Sequence, residues 1–250
     1  MQDLFNCAMD IGEQMLICGA EVHRVEDSVE RMCSAMGADR TDVFIITSCM
    51  IVTIHALDRV YTQTRRITGI GTNIEKLHML NELSRKICAS KMSVQAIRED
   101  FENIQHCKEY SFAFECIAYI IISGSFTLFF GGGIFEALIS MLIGGILRFL
   151  VSLTDKAEIN RIFSKFLCSL VVCFVSFGAL KIGLINGIDK VIIGNIMLLI
   201  PGVGLTNALR DLLSGDSIAG LLRMIEATLS ALAIASGYII FVLVVGGGSI

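Results

Sequence analysis

Hydrophobic positions change their period twice along this chain, and the changes divide it. From Asp3 to Cys18 the apolar residues Leu4, Ala8, Ile11, Met15 and Leu16 fall at helical spacing, and Gly19 stands where a helix stops. Ala20 to Met36 repeats the design, with Val22, Val25, Val29, Met32, Cys33 and Met36 on one stripe and Gly37 closing it. On its other side Glu21, Arg24, Asp27 and Arg31 alternate in sign at three- and four-residue spacing. The period then shortens. Val43–Thr47, Met50–Ala56 and Val60–Ile67 are dense in β-branched residues and separated by short polar breaks such as Leu57-Asp58, which predicts three strands. Thr72 and Glu75 read as a capping box opening a helix to about Ser90, with Ile74, Leu77, Leu80, Leu83 and Ile87 inside. Ser93 opens a last helix to about Gln105. The expectation is an α+β domain over residues 1–108, large enough to hold its own core.

Beyond Lys108 the pattern becomes a series of apolar runs at 112–130, 134–153, 163–184, 189–213 and 217–245. Each is near the roughly 20 residues that cross a bilayer. Residues 109–250 are therefore expected to form a helical bundle of about five transmembrane helices. The fourth run is interrupted at Ile200-Pro201-Gly202-Val203-Gly204, and Pro201 is the only proline in the chain. Proline lacks the donor N–H and clashes with the preceding turn, and the glycines let the backbone leave helical geometry. In hydrocarbon, freed backbone groups are tolerated where they are buried in protein or line a wet cavity, and broken spans are where transporters hold substrates. A plain proline kink is the bland alternative. Small residues favour helix contacts in lipid, and Ala227, Ala231 and Ala235 form such a ladder on the last run.

Composition sharpens this picture. The 250 residues are 54% hydrophobic and 18% charged, with a mean hydropathy of +0.71. Soluble domains average about 25% charged, so a membrane protein with a lipid bilayer as its partner is expected. The net charge of −4 lacks the basic patch that a nucleic-acid partner requires. Nine cysteines are scattered without a CxxC pair, which fits reduced thiols better than a disulfide framework or a zinc site. The N-terminus has no basic n-region and does not read as a signal peptide. Lys156, Arg161 and Lys165 form a short basic connection that belongs in the cytoplasm under the positive-inside rule. That places the N-terminal domain in the cytoplasm and the protein as a multi-pass component of the cell membrane.

Candidate chemistry gathers around the broken run. Arg223 and Glu226 lie one helical turn apart inside the last apolar segment, where ionisable groups are expensive and default to functional status. Arg223 is suited to an anionic carboxylate, and Glu226 or Asp211 to a coupling proton. Thr206 and Asn207 follow the Pro201-Gly202 break, where free N–H groups and the helix dipole favour an anion, and Asn195 precedes it. The competing reading is structural: an ion pair that pins two helices, with Asn and Thr satisfying freed backbone. Glu115, Glu136 and Arg148 sit near helix ends and read as interfacial anchors. Glu21, Arg24 and Glu26 form the densest charged face of the first domain. His23 has no partner at metal-ligand spacing, so no metal is expected. No nucleophile motif, phosphate loop or dinucleotide fingerprint appears, so neither an enzyme nor a cofactor is expected.

Several separated motifs together resemble the threonine/serine exporter family. They are Gly19-Ala20-Glu21-Val22-His23-Arg24-Val25-Glu26, Thr64-Arg65-Arg66-Ile67, Asn81-Glu82-Leu83-Ser84-Arg85, and the stretch from Pro201-Gly202 through Asn207-Ala208-Leu209-Arg210-Asp211 to Gly215-Asp216, Arg223 and Glu226-Ala227. The resemblance implies a cytoplasmic domain followed by a multi-span bundle. It also implies the larger subunit of a split exporter that works with a small all-membrane second subunit, a form associated with export of the dicarboxylate succinate. The expected function is a secondary-transporter subunit exporting a small carboxylate metabolite, an amino acid of the threonine/serine type or a dicarboxylate, driven by protons. The pocket at the broken span and Arg223 would hold the substrate, and Glu21, Arg24 and Glu26 would form a gate. A homo-oligomer is the alternative assembly. The rival function is a membrane-anchored sensor or scaffold whose first domain binds a metabolite or partner.

Overall fold

The computed structural model describes residues 2–90, 92–107 and 110–245. The order is α1 (Gln2–Ile17), α2 (Val22–Ala35), β1 (Arg40–Ile46), β2 (Cys49–Ala56), β3 (Arg59–Arg66), α3 (Ile74–Ala89), α4 (Val94–Gln105), α5 (Phe112–Phe129), α6 (Ile134–Lys156), α7 (Arg161–Lys181), α8 (Asp189–Leu199), α9 (Gly202–Ser214) and α10 (Ser217–Val245). The protein is mostly helical with a small three-stranded sheet near its N-terminus. Helices α5, α6, α7 and α10 are long and apolar enough to cross a membrane, and α8 with α9 adds a fifth span if the broken pair counts as one.

The chain divides into two compact units: residues 1–108 with Gly202–Ile225, and residues 109–201 with 226–250. The boundary expected at 108–109 lies outside the described residues. In the first unit, β1-β2-β3 form an antiparallel meander in which Val43 faces Val52 and Ile54 faces Tyr61. Strand period places Met50, Val52, Ile54 and Ala56 on one face, fully buried, while the intervening residues are half exposed. That face joins Met9, Ile11, Met15 and Leu16 of α1, Val25, Val29 and Met32 of α2, and Leu80, Leu83 and Ile97 of α3 and α4 in one core. The β2–β3 turn is Leu57-Asp58, with both residues at positive φ (53° and 57°), as a two-residue hairpin loop requires. One cap differs from expectation. Helix α3 starts a residue later than the Thr72 box implies, and the Asn73 side chain accepts from Lys76 N at 2.9 Å. Asn competes well for this role, since its short carbonyl reaches the third N–H. Ser93 caps α4 as expected, accepting from Ala96 N.

In the second unit α5, α6, α7 and α8 pack with the later part of α10 around Ile143, Leu147, Cys168, Val172, Cys173, Val191, Ile234 and Phe241. The buried row of α10 is Ala227, Ser230, Ile234, Gly237 and Phe241, spaced three and four apart. The small-residue ladder read from the sequence is therefore corrected: Ala231 and Ala235 are exposed. Both faces of α10 carry small residues, so their spacing alone does not choose between them. Helix α8 lies against α5 so closely that a Cβ on Gly194 would come within 2.2 Å of Thr127 Oγ1. Around this contact sits an uncharged polar core. Thr127 donates to Ser140 Oγ (2.6 Å), Ser140 donates to Ser123 O (3.1 Å), and Asn195 Nδ2 donates to Ser140 Oγ (2.7 Å) and Val191 O (2.9 Å). Arg148 and Glu115 are not separate anchors: Arg148 Nε donates to Glu115 Oε2 at 2.9 Å, and the guanidinium lies 5.0 Å from the Phe112 ring centroid. Glu136 accepts from Asn186 N at 3.3 Å.

Candidate functional site

The fourth apolar run ends its first helix at Leu199. Ile200 is extended (φ −69°, ψ 127°), and the chain resumes helical geometry only at Gly202. Proline stereochemistry explains the stop, because the residue before proline is disfavoured in the helical region. After the break, α9 and the start of α10 belong to the same unit as α1 and α2, and polar groups collect there.

The focus of that collection is the turn between α1 and α2. Gly19 has φ +92°, and a Cβ there would meet Gly71 O at 2.6 Å, so only glycine fits the corner. The turn leaves carbonyls and the first N–H groups of α2 without helical partners, and side chains from α9 and α10 satisfy them. Asn207 Nδ2 donates to Gly19 O at 2.9 Å. Arg223 donates to Ala20 O at 2.8 Å. Asp211 Oδ1 accepts from Val22 N at 3.1 Å, which puts a carboxylate at the positive end of α2. Asp211 and Arg223 pair at 3.1 Å, with side chains 1% and 7% exposed. Arg210 pairs with Glu21, further out. Asp211 Oδ2 is the oxygen of that ion pair, and Arg223 Nε is buried without a hydrogen bond.

The expected site residues thus fall into different surroundings. Asn207, Asp211, Arg223 and Glu21 come together in the clasp. Thr206 is exposed and donates to Gly202 O of its own helix at 3.0 Å, so its hydroxyl is spent on the backbone beside Pro201. Asn195 belongs to the uncharged core of the second unit and is fully buried there, with its Oδ1 unpaired. Glu226 is exposed on α10, between the exposed apolar Ile225 and Leu229. Arg24 is exposed, whereas Glu26 is half-buried and accepts from Ile45 N at 3.0 Å. Glu21, Arg24 and Glu26 therefore do not share one environment. Burial, and after it the charge of Asp216, push the Glu26 carboxyl up to about 7, against the opposing pull of the Ile45 N–H and His23.

Sequence reasoning names Asp216 only within the Gly215-Asp216 motif and gives it no site role. It stands in the turn after Gly215, and its carboxylate lies with the His23 imidazole and the Glu26 carboxylate in a group whose ligand atoms are all within 4.8 Å of one another. Sequence spacing offers His23 no set of metal ligands, and the fold brings Glu26 and Asp216 beside it. The missing partner comes from far along the chain, where local spacing carries no signal.

Comparison with known proteins fits these observations. A family model described as "Putative threonine/serine exporter" matches residues 6–246. The threonine/serine exporter of Corynebacterium glutamicum is 22% identical over 242 residues, covering 94% of this chain and 50% of that protein. Pheromone-regulated membrane protein 10 of Eremothecium gossypii is 24% identical over 235 residues, covering 89% of this chain and 30% of that protein. The chain thus spans half or less of the length of these relatives. No solved structure matches it. By the extent of the family match, together with the four or five apolar helices among the described residues, which suit a multi-pass membrane protein, this chain belongs to the threonine/serine exporter family.

Proposed function

We propose that the chain is a subunit of a secondary transporter that exports a small carboxylate metabolite, an amino acid of the threonine/serine type or a dicarboxylate such as succinate, with protons as the coupling ion. The observation that carries this reading is the buried Asp211–Arg223 pair that follows the Pro201 break, with Arg223 Nε still lacking a hydrogen bond. A guanidinium with an unsatisfied N–H is ready to take a carboxylate. In the proposed cycle, a substrate carboxylate competes with Ala20 O and Asp211 for Arg223. Asp211, released from its cation in an apolar setting, then binds a proton. Asn207, which holds Gly19 O, ties occupancy to the α1–α2 turn, and Glu21 with Arg210 closes its outer side. The N-terminal helices and sheet would lie in the cytoplasm and the spans in the cell membrane.

An assembly with a second membrane component is part of this proposal, either a small all-membrane subunit or another copy. Glu226 supports it, because an exposed carboxylate on an apolar helix is costly in lipid unless a partner or aqueous path meets it. Transport is tested by loading proteoliposomes with labelled threonine, serine or succinate and following proton-driven efflux, with the chain alone and with the second subunit. Efflux of one of these above empty vesicles is expected, with strong loss in Arg223→Ala and Glu226→Gln. Efflux unchanged in both variants would remove the site assignment.

A second reading has its own observation. An open cavity of about 590 Å³ in the first unit is lined by Asn6, Asp10, Gln63, Arg65, Arg98 and His106 among others, which suits a sensor for an anionic metabolite. It predicts tight metabolite binding by the full chain that Arg65→Ala and Arg98→Ala abolish and Arg223→Ala spares.

A further inference from the structure

We infer that His23, Glu26 and Asp216 form a binding site for a divalent transition-metal cation, of the Mn²⁺, Fe²⁺ or Zn²⁺ class, that ties α2 to the α9–α10 turn. His23 and Glu26 are three residues apart on α2, hence on one face of the helix. Asp216 reaches them because the chain reverses at Gly215, and its position is fixed by two backbone bonds: Asp216 N donates to Asp211 O at 3.0 Å, and Asp216 O accepts from Gly220 N at 2.9 Å. One ligand atom from each residue lies within 4.8 Å of the others. Metal–ligand bonds of about 2.0–2.2 Å put three donors on a shared ion roughly 3.3–3.8 Å apart. The trio therefore has to close by up to about 1 Å on binding, within reach of side-chain rotation at the exposed His23.

An independent observation points to a ligand here. Asp216 Oδ2 is buried from solvent and has no hydrogen-bond partner. A carboxylate oxygen withheld from water without a donor is destabilising, and a cation is the species that would satisfy it. Glu26 is already oriented, since Ile45 N of β1 holds its Oε1 at 3.0 Å in the manner of an outer-shell hydrogen bond. His23 is exposed, so the solvent side of the site leaves coordination positions for water. One imidazole nitrogen with two carboxylates selects borderline cations over Ca²⁺ and Mg²⁺, which prefer oxygen throughout. The neighbouring Asp211 carboxylate already pairs with Arg223, so it does not compete for the ion.

The test uses the full chain, purified in detergent, stripped with a chelator and titrated with Co²⁺ as a spectroscopic probe, with Mn²⁺ binding followed by electron paramagnetic resonance. One saturable equivalent is expected, with visible ligand-field bands, and affinity should fall at least tenfold in both His23→Ala and Asp216→Asn. His78→Ala, at an exposed histidine paired with Glu82 on α3, should bind as the wild type. Because His23 is exposed, its replacement should leave the fold intact and decides the question if Asp216→Asn does not fold. Absence of a saturable equivalent, or affinity unchanged in His23→Ala, would overturn the site. Neither readout depends on transport.

Discussion

The two units bury polar groups in different ways. The first unit encloses charges, with the Asp211–Arg223 pair held against the backbone of residues 19–22. The polar core of the second unit is uncharged: Thr127, Ser140 and Asn195 bond to one another and to nearby carbonyls, and the buried groups left without a partner there, Ser123 Oγ and Asn195 Oδ1, are neutral. Hydroxyl and amide networks tolerate an apolar setting once bonded, and they hold helices in place. A buried charge pair is poorer value as a fastener, because desolvation of both ions offsets their attraction. The contrast teaches where chemistry is to be sought. The uncharged core fits a structural role in helix packing, and the charged clasp fits a site whose partners are exchanged.

The largest expected effect probes the clasp. Arg223→Ala leaves Asp211 buried and uncompensated and should cost about 3–5 kcal/mol, whereas Ser140→Ala should cost about 1 kcal/mol. Unfolding in detergent by heat or denaturant measures both, and equal losses would erase the contrast. Gly194→Ala comes next. Its new methyl has to displace Thr127, which lies 2.2 Å away at Oγ1 and 2.8 Å at the backbone N, and about 1–3 kcal/mol should be lost with export reduced only through folding. Asn207→Ala is milder for stability, at about 1 kcal/mol for the bond to Gly19 O, but it should reduce efflux more than Ser140→Ala does at equal folded protein. The smallest effect concerns thiols. Burial pushes Cys33 up to about 12, while Cys88 is exposed, so maleimide at pH 8 should label Cys88 and spare Cys33 until the protein unfolds. Equal labelling, read by mass spectrometry, would show that the first unit's core is open.

Much of the fold is legible in the sequence, because helices and strands announce themselves through local period. All three strands and the apolar runs lie within a few residues of their expected places, and the helix stops at Pro201 for a reason visible in one residue. Less legible is what depends on choice among equals. Asn73 wins the cap over Thr72, and α10 buries Ser230 and Gly237 rather than Ala231 and Ala235. The candidate site is legible in half. Ionisable groups in apolar surroundings single out Asp211 and Arg223, but their partners are backbone atoms of Ala20 and Val22, which no side-chain pattern encodes. Asp216 gains no site role from the sequence for a related reason, since its neighbours His23 and Glu26 are remote in sequence.

The most direct test of the account is efflux by Asp211→Asn. Asparagine keeps an oxygen for Val22 N and nearly the same shape, but it removes the charge facing Arg223. The account predicts folded protein, judged by a monodisperse elution profile, with substrate efflux reduced at least tenfold and its dependence on the proton gradient lost. Efflux at the wild-type rate with the gradient dependence intact would contradict it.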